Sequence, residues 1–202
     1  MFGKGFLQDV RHNLWECFFI THSLRKDLPM KLTTIIPVHN AEKYITATLD
    51  SVLQQDLGNP EELEVICVDD ASTDASVALI KDYQQKDSRI RLFLNEKTRF
   101  AGACRNKGIE EAHGDYLHFL DADDLVEKGV YQKFLSIAEQ ADADMVKGCA
   151  VCFDNETGEL SDTPLFALSD VPAECFDKVL NFHQAPEIFS HISVVPWNAI
   201  YK

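Results

Sequence analysis

Two absences narrow the reading of this chain before any motif does. No stretch of its 202 residues supplies the run of about 20 apolar residues that a membrane-spanning helix needs. Positive charge is scarce as well: 19 Lys and Arg face 33 Asp and Glu, for a formal net charge of −14. Nucleic acid needs a basic face on its partner, so nucleic-acid binding is excluded as the main task. Simple attraction to anionic lipid goes with it. A secretory leader pattern is missing too, because Asp9, Arg11 and Glu16 interrupt the first residues and no small-residue cleavage site follows. The first strand-to-helix turn has neither G-x-G-x-x-G nor a P-loop lysine pattern. An acidic protein of this kind can hold a phosphate compound only with local positive charge, from a metal ion or a few arginines.

Cysteine usage points the same way. Six cysteines are present, and Cys149-Ala150-Val151-Cys152 has C-x-x-C spacing, but no second Cys or His pair stands at zinc-like distance. The segment Asp144 to Phe153 reads as a strand, in which positions three apart face opposite sides. Ordinary reduced thiols in a reducing, cytoplasmic compartment are the expectation.

What is present is an alternation of strand and helix from Leu32 onward. Strands are expected at Leu32–Pro37, Leu63–Val68, Ile90–Leu94, Tyr116–Leu120 and Met145–Phe153. Helices are expected at Ala41–Gln55, from Ser72 or Asp74 to about Lys86, at Ala101–Ala112 and at Glu127–Gln140, with Asn40 as a helix cap. Asn155 to Gly158 reads as a turn, Phe176 to Phe182 as a short helix, and Ser193 to Tyr201 is ambiguous. Residues 1–30 look different: Phe6, Leu7, Val10, Leu14, Trp15, Phe18 and Phe19 follow helical spacing, and Met30 is an alternative start. The pattern gives an α/β fold, a mostly parallel sheet with helices on both faces. Residues 1–30 form a helical extension and residues 31–202 the main domain.

In such folds ligands bind at the C-terminal ends of the strands. Those ends carry Pro37-Val38-His39-Asn40, Asp69-Asp70, the segment from Asn95, and Asp121-Ala122-Asp123-Asp124. The last tetrad is the most informative feature. Carboxylates clustered at a strand end repel one another unless a cation sits among them, and a hard divalent ion shared with substrate phosphates is the usual partner. With no glycine-rich loop, a metal at Asp121 and Asp123 becomes the diphosphate anchor. Asp69 or Asp70 can accept hydrogen bonds from a base N–H or a ribose hydroxyl.

These segments resemble a known family. Thr33 to Tyr44 is similar to the opening of family 2 glycosyltransferases of the GT-A (Rossmann-like) fold. Val68 to Asp74 resembles their V-D-D-G-S-T-D motif, Gly102 to Ile109 their A-A-R-N-x-G-I, Phe119 to Asp124 their D-x-D segment, and Val195 to Lys202 a later V-W-N-K-L-Y-R. The resemblance implies a metal-dependent, inverting transferase using a nucleotide-diphospho-sugar donor, with a UDP-sugar favoured and Mn²⁺ or Mg²⁺ as cofactor. The acceptor would be a glycan or lipid-linked hydroxyl, with peripheral association at the inner face of the cytoplasmic membrane and a role in polysaccharide assembly. It places Pro37, Val38, His39, Asn40 and Glu42 around the base and ribose and gives Asp70 the base. Asp121 and Asp123, with Ala122 between them, take the metal and ribose, and Arg99 or Arg105 offsets phosphate charge.

Departures from the family carry their own expectations. His39 stands in place of the usual Tyr. Ala71 replaces Gly, so its turn should avoid positive φ. Thr98-Arg99-Phe100 occupies a loop that is often glycine-rich. The general base usually lies beyond the last motif, so it is expected past Lys202, leaving Asp170, Glu174, Asp177 and Glu187 without a matching context. The alternative is a nucleotide-sugar-binding module without turnover, truncated or dependent on a partner. A receiver-domain reading fails because the Asp69-Asp70 pair would have to end the first strand, and a haloacid-dehalogenase reading because three strands precede Asp121 and no acidic pair follows it. Asp74 reads as a helix cap, and His113, His118, His183 and His191 as structural or surface residues.

Overall fold

The structure is a computed structural model that describes residues 18–21, 31–148, 150–154, 157, 159–161 and 198–202. In chain order the elements are β1 (Phe18–Thr21), β2 (Leu32–Val38), α1 (Ile45–Leu53), a 3₁₀ turn (Pro60–Glu62), β3 (Leu63–Asp69), α2 (Ser76–Lys86) and β4 (Ile90–Leu94). Then come α3 (Phe100–Glu111), β5 (Tyr116–Phe119), α4 (Val130–Ala141), β6 (Ala143–Lys147), β7 (Cys152–Phe153), β8 (Leu160–Ser161) and β9 (Ala199–Tyr201).

Among the described residues, seven strands form one sheet in the order β1-β6-β9-β5-β2-β3-β4, and β7 and β8 pair separately. The half built from β5, β2, β3 and β4 is parallel. β9 pairs antiparallel with both β5 and β6, and β1 antiparallel with β6. The β2 register pairs Val38 with Asp69 on one side and Ile35 with Phe119 on the other, so three strands end along one edge.

Alternating residues of the parallel strands feed two cores, which is why these strands read as continuous apolar runs. Leu32, Ile36 and Val38 pack with Ile45, Leu49 and Val52 of α1, Ile80 of α2, and Tyr131 and Leu135 of α4. On the opposite face Ile35, Ile66 and Val68 pack with Cys104 of α3. A buried polar chain crosses the first core: the Tyr131 hydroxyl lies 2.9 Å from Thr34 Oγ1 and 2.8 Å from His118 Nδ1. His118 is therefore structural, as expected. On β6, Lys147 is 2% exposed and its ammonium meets Asn198 Oδ1, which ties the segment before β9 to the sheet.

Several expectations change. The strand expected from Met145 to Phe153 stops at Lys147; Gly148 adds one more in-register bond, its amide donating to the Asn198 carbonyl at 2.8 Å, and Cys152–Phe153 pair in a separate two-stranded sheet. Phe18 and Phe19, assigned to a helix by their spacing, lie in β1, because β6 leaves an edge open for pairing. The first helix starts at Ile45 rather than Ala41, behind a turn closed by Tyr44 and Ile45 amides on the Ala41 carbonyl, both at 2.9 Å. The expected helix at Phe176–Phe182 and most of the 193–201 segment lie outside the described residues. Cys67 and Cys104 are free and fully buried, with thiols pushed up by burial to about 12 and about 11; the nearby Asp70 charge adds to the Cys104 shift. No helix among the described residues is long and apolar enough to cross a membrane.

Gly108 lets α3 sit close on the sheet. A Cβ there would lie 2.3 Å from Ile35 Cγ2, in a side chain that is stiff and 0% exposed. Gly108→Ala gains about 1 kcal/mol of helix propensity but overpacks this contact, which costs about 1–3 kcal/mol. The expected outcome is a lower urea midpoint with an unchanged m-value; a raised midpoint would show that α3 does not bear on Ile35.

Candidate functional site

The site forms where β2, β3, β4 and β5 end together. The turns that leave these strands are bonded to one another. The Asp70 amide donates to the Val38 carbonyl at 2.7 Å, the Asn95 amide to the Asp69 carbonyl at 2.9 Å, and the Leu120 amide to the Ile35 carbonyl at 3.0 Å. The sequence-predicted residues of the four turns are therefore brought to one edge.

The first two turns interlock through side chains. Asn40 does not cap α1; it has φ 51°, and its Oδ1 accepts the Thr73 amide at 2.8 Å. Glu42 Oε2 accepts the Ala75 amide at 3.0 Å, and the Glu42 amide donates to Asp74 Oδ2 at 3.0 Å. Asp74 Oδ1 also accepts the Ser76 amide at 3.0 Å, but the N-cap of α2 is Ala75, one residue later than expected, and it carries no side-chain cap. Glu42 thus spends one oxygen on scaffolding. Pro37 is half-buried, Val38 buried, and the His39 ring exposed, with Nδ1 2.8 Å from the Asp70 carbonyl oxygen.

Asp70 has a task that sequence reasoning missed. Its carboxylate, 4% exposed, accepts the Arg99 and Phe100 amides at 2.8 Å each and the Asn95 side-chain amide at 3.0 Å. These donors fix the first turn of α3. Burial alone would raise the Asp70 pKa, but the bonds from Asn95, Arg99 and Phe100 outweigh it and hold the carboxyl below its ordinary value. Asp69 is 3% exposed; its Oδ2 accepts the Ser72 amide at 3.1 Å, and its buried Oδ1 has no partner.

Positive φ marks this edge. Ala71 adopts φ 58°, against the expectation that a residue replacing Gly would avoid it, because the Ser72 amide must turn back onto Asp69. Asn40 at 51° and Phe100 at 66° follow the neighbouring strands in the same way. Each such residue with a bulky side chain costs roughly 1–3 kcal/mol, and such strain persists only where surrounding bonds over-determine it.

The acidic tetrad is a tight turn closed by the Asp124 amide on the Asp121 carbonyl at 3.1 Å. Thr48 of α1 holds it by donating to the Ala122 carbonyl at 2.8 Å. Asp121 Oδ1 takes Arg105 Nη2 at 2.6 Å, so α3 joins Asp70 at its start to Asp121 through Arg105. Arg105 Nε is buried and unpartnered. The side chain of Arg99 is exposed and makes no ion pair with a described residue. Asp123 is exposed at the turn, and no hydrogen bond or ion pair of the described residues engages its carboxylate. The crowding shows in Asp124, whose pKa is pushed up to about 6 by burial and then by the charges of Asp123 and Asp121.

For a hard divalent cation the donor set fits: carboxylate oxygens only, one of them exposed and unengaged. Among the described residues no three His, Cys, Asp or Glu converge in a metal-ligating group, so any cation here takes the rest of its shell from ligand oxygens or water.

The sequence pattern of a family described as Glycosyl transferase family 2 matches residues 33–195. This chain belongs to glycosyltransferase family 2. It is 28% identical over 179 residues to Glycosyltransferase GlyA of Streptococcus pneumoniae, covering 85% of this chain and 24% of GlyA. It is 34% identical over 120 residues to the Poly(ribitol-phosphate) beta-glucosyltransferase of Bacillus spizizenii, covering 59% of this chain and 19% of that one. The solved structure of S. aureus TarS 1-349 in complex with UDP-GlcNAc is similar at TM-score 0.57 and 28% identity, covering 68% of this chain and 38% of that one. The family 2 chain described here thus spans less than half of each of these relatives. This likeness, together with the family match, makes the fold GT-A.

Because folding lowers the Asp70 pKa, its carboxylate stabilises fully above the ordinary range near pH 4 and loses that contribution as pH falls through the folded value. Asp70→Ala leaves three donors unpaired and is expected to lower unfolding free energy at pH 7 by about 1–3 kcal/mol. In urea titrations its gap from wild type should narrow below about pH 4. A gap independent of pH would show that charge plays no part in anchoring α3.

Proposed function

We propose that this domain binds a nucleotide-diphospho-sugar, with a UDP-sugar as donor, and passes the sugar with inversion to a hydroxyl of a glycan or lipid-linked acceptor. The observation that carries the reading is the unengaged Asp123 carboxylate beside Asp121, on the strand edge that also holds Asp69 and Asp70. The names of the relatives support it: one acts on poly(ribitol-phosphate), and TarS is a structure with UDP-GlcNAc. Site at the cytoplasmic face of the membrane, with peripheral association, belongs to the same proposal.

In this reading Asp123, with the Asp121 oxygen that Arg105 leaves free, would hold Mn²⁺ or Mg²⁺. Bound there, the cation would supply charge stabilisation for the departing diphosphate. Arg105 orients Asp121 through their 2.6 Å ion pair, and the exposed Arg99 adds a second positive group near the crevice. Asp69 and Asp70 form the base end. Asp70 Oδ2 accepts the Phe100 amide, and its remaining capacity would serve a base N–H. His39 and Pro37 border the base and ribose.

UDP with Mn²⁺, at about 100 times its dissociation constant, is expected to raise the melting temperature by about 5–10 °C. Asp123→Ala should lose the Mn²⁺-dependent part of that shift and keep its ligand-free melting temperature, because its carboxylate supports nothing in the fold. A mutant that responds like wild type would remove Asp123 from the metal assignment. GDP and dTDP in the same assay rank the base.

A further inference from the structure

Phe100 holds a backbone conformation that glycine adopts freely and phenylalanine resists, with φ 66°. Packing does not offset the strain. The side chain is 78% exposed, and no ring contact among the described residues engages it. What holds the backbone is Asp70, through the Phe100 amide at 2.8 Å. The same residue holds the His39 ring through its main-chain oxygen at 2.8 Å. Two rings open to solvent are therefore tethered to the residue that follows β3.

The position of Phe100 on α3 adds a direction. Cys104 and Gly108, one and two turns further along the helix, face the sheet against the cluster of Ile35, Ile66 and Val68. Phe100 stands at the start of α3, one turn before Cys104, with its amide on Asp70 at the strand edge. Ala101 and Gly102 beside it are small, and a Cβ at Gly102 would meet nothing within 4 Å. A large planar apolar group is thus displayed at the base end of the site, at the expense of backbone strain.

We propose that Phe100 is a positioning residue for the donor, its ring an open platform on which the nucleobase stacks when it reaches Asp69 and Asp70. The inference rests on the nucleotide-sugar reading above. Every base has a π face, so stacking on Phe100 sets affinity and placement, while the polar atoms of Asp69 and Asp70 read the base edge.

The test is calorimetric titration of wild type, Phe100→Gly and Phe100→Tyr with UDP and with inorganic pyrophosphate, both in Mn²⁺. Phe100→Gly is expected to weaken UDP about 10-fold, within the range of roughly 5- to 100-fold for loss of one stacked base. Pyrophosphate, which has no base, should bind within about 2-fold of wild type, and Phe100→Tyr should keep UDP affinity because it keeps the ring. Without ligand, Phe100→Gly should melt no lower than wild type, as the left-handed conformation suits glycine. Unchanged UDP affinity in Phe100→Gly overturns the proposal, and so does an equal loss of UDP and pyrophosphate. Failure of wild type to bind UDP overturns the donor reading itself, and this inference with it.

Discussion

A single carboxylate holds the working edge of this domain together. Asp70 closes the turn after β3, receives the first amides of α3, and offers its carbonyl oxygen to His39. Buried hydrogen bonds to a charged acceptor are stronger than neutral ones, and leaving the donors unpaired is costly. Helix α3 is consequently fixed at its start by Asp70 and further along by the Arg105–Asp121 pair. Both acidic clusters are thus set in place by the same helix. The Asp70 end and the Asp121 end of the edge are both bonded to it.

That arrangement accounts for the concentration of unusual backbone. Asn40, Ala71 and Phe100 all have positive φ, and all lie just beyond strand ends at this edge. Elsewhere the described chain follows ordinary geometry, apart from Asp142 after α4 and two glycines. The turns are short because their strands are adjacent and their side chains cross-bond: Asn40 to Thr73, Glu42 to Ala75, Asp69 to Ser72. A rigid rim of this kind can hold a ligand with little rearrangement, the condition for electrostatic stabilisation of a leaving group.

The sheet itself divides the labour. Its parallel half, buried on both faces, supplies the aligned strand ends that a ligand can bridge. Its antiparallel extension, β9, β6 and β1, leaves those ends untouched and widens the sheet on the Asp121 side. Lys147 and Asn198 link the two segments that build the extension, a buried ammonium on a polar side chain.

The sequence by itself determined the alternating α/β order, the parallel core, the family and the edge on which the acids meet. Those follow from local periodicity and from motif residues at strand ends, both of which are short-range signals. The tetrad from Asp121 to Asp124 was legible as a carboxylate cluster at a strand end, and the Asp74 to Ser76 bond is short-range in the same way, its partners two residues apart. Tertiary structure alone decided the rest. Asp70 serves α3, Glu42 and Asn40 serve the neighbouring turn, and Ala71 accepts positive φ, each through partners about 30 residues away or through a turn those partners impose. The end of β6 at Lys147 and the strand at Phe18–Thr21 depend on which edge is free to pair, a property of the assembled sheet. Phe100 looked like one loop residue among several, and only the folded edge shows it strained, exposed and held there by Asp70, because strain is a balance between a residue and the structure that restrains it.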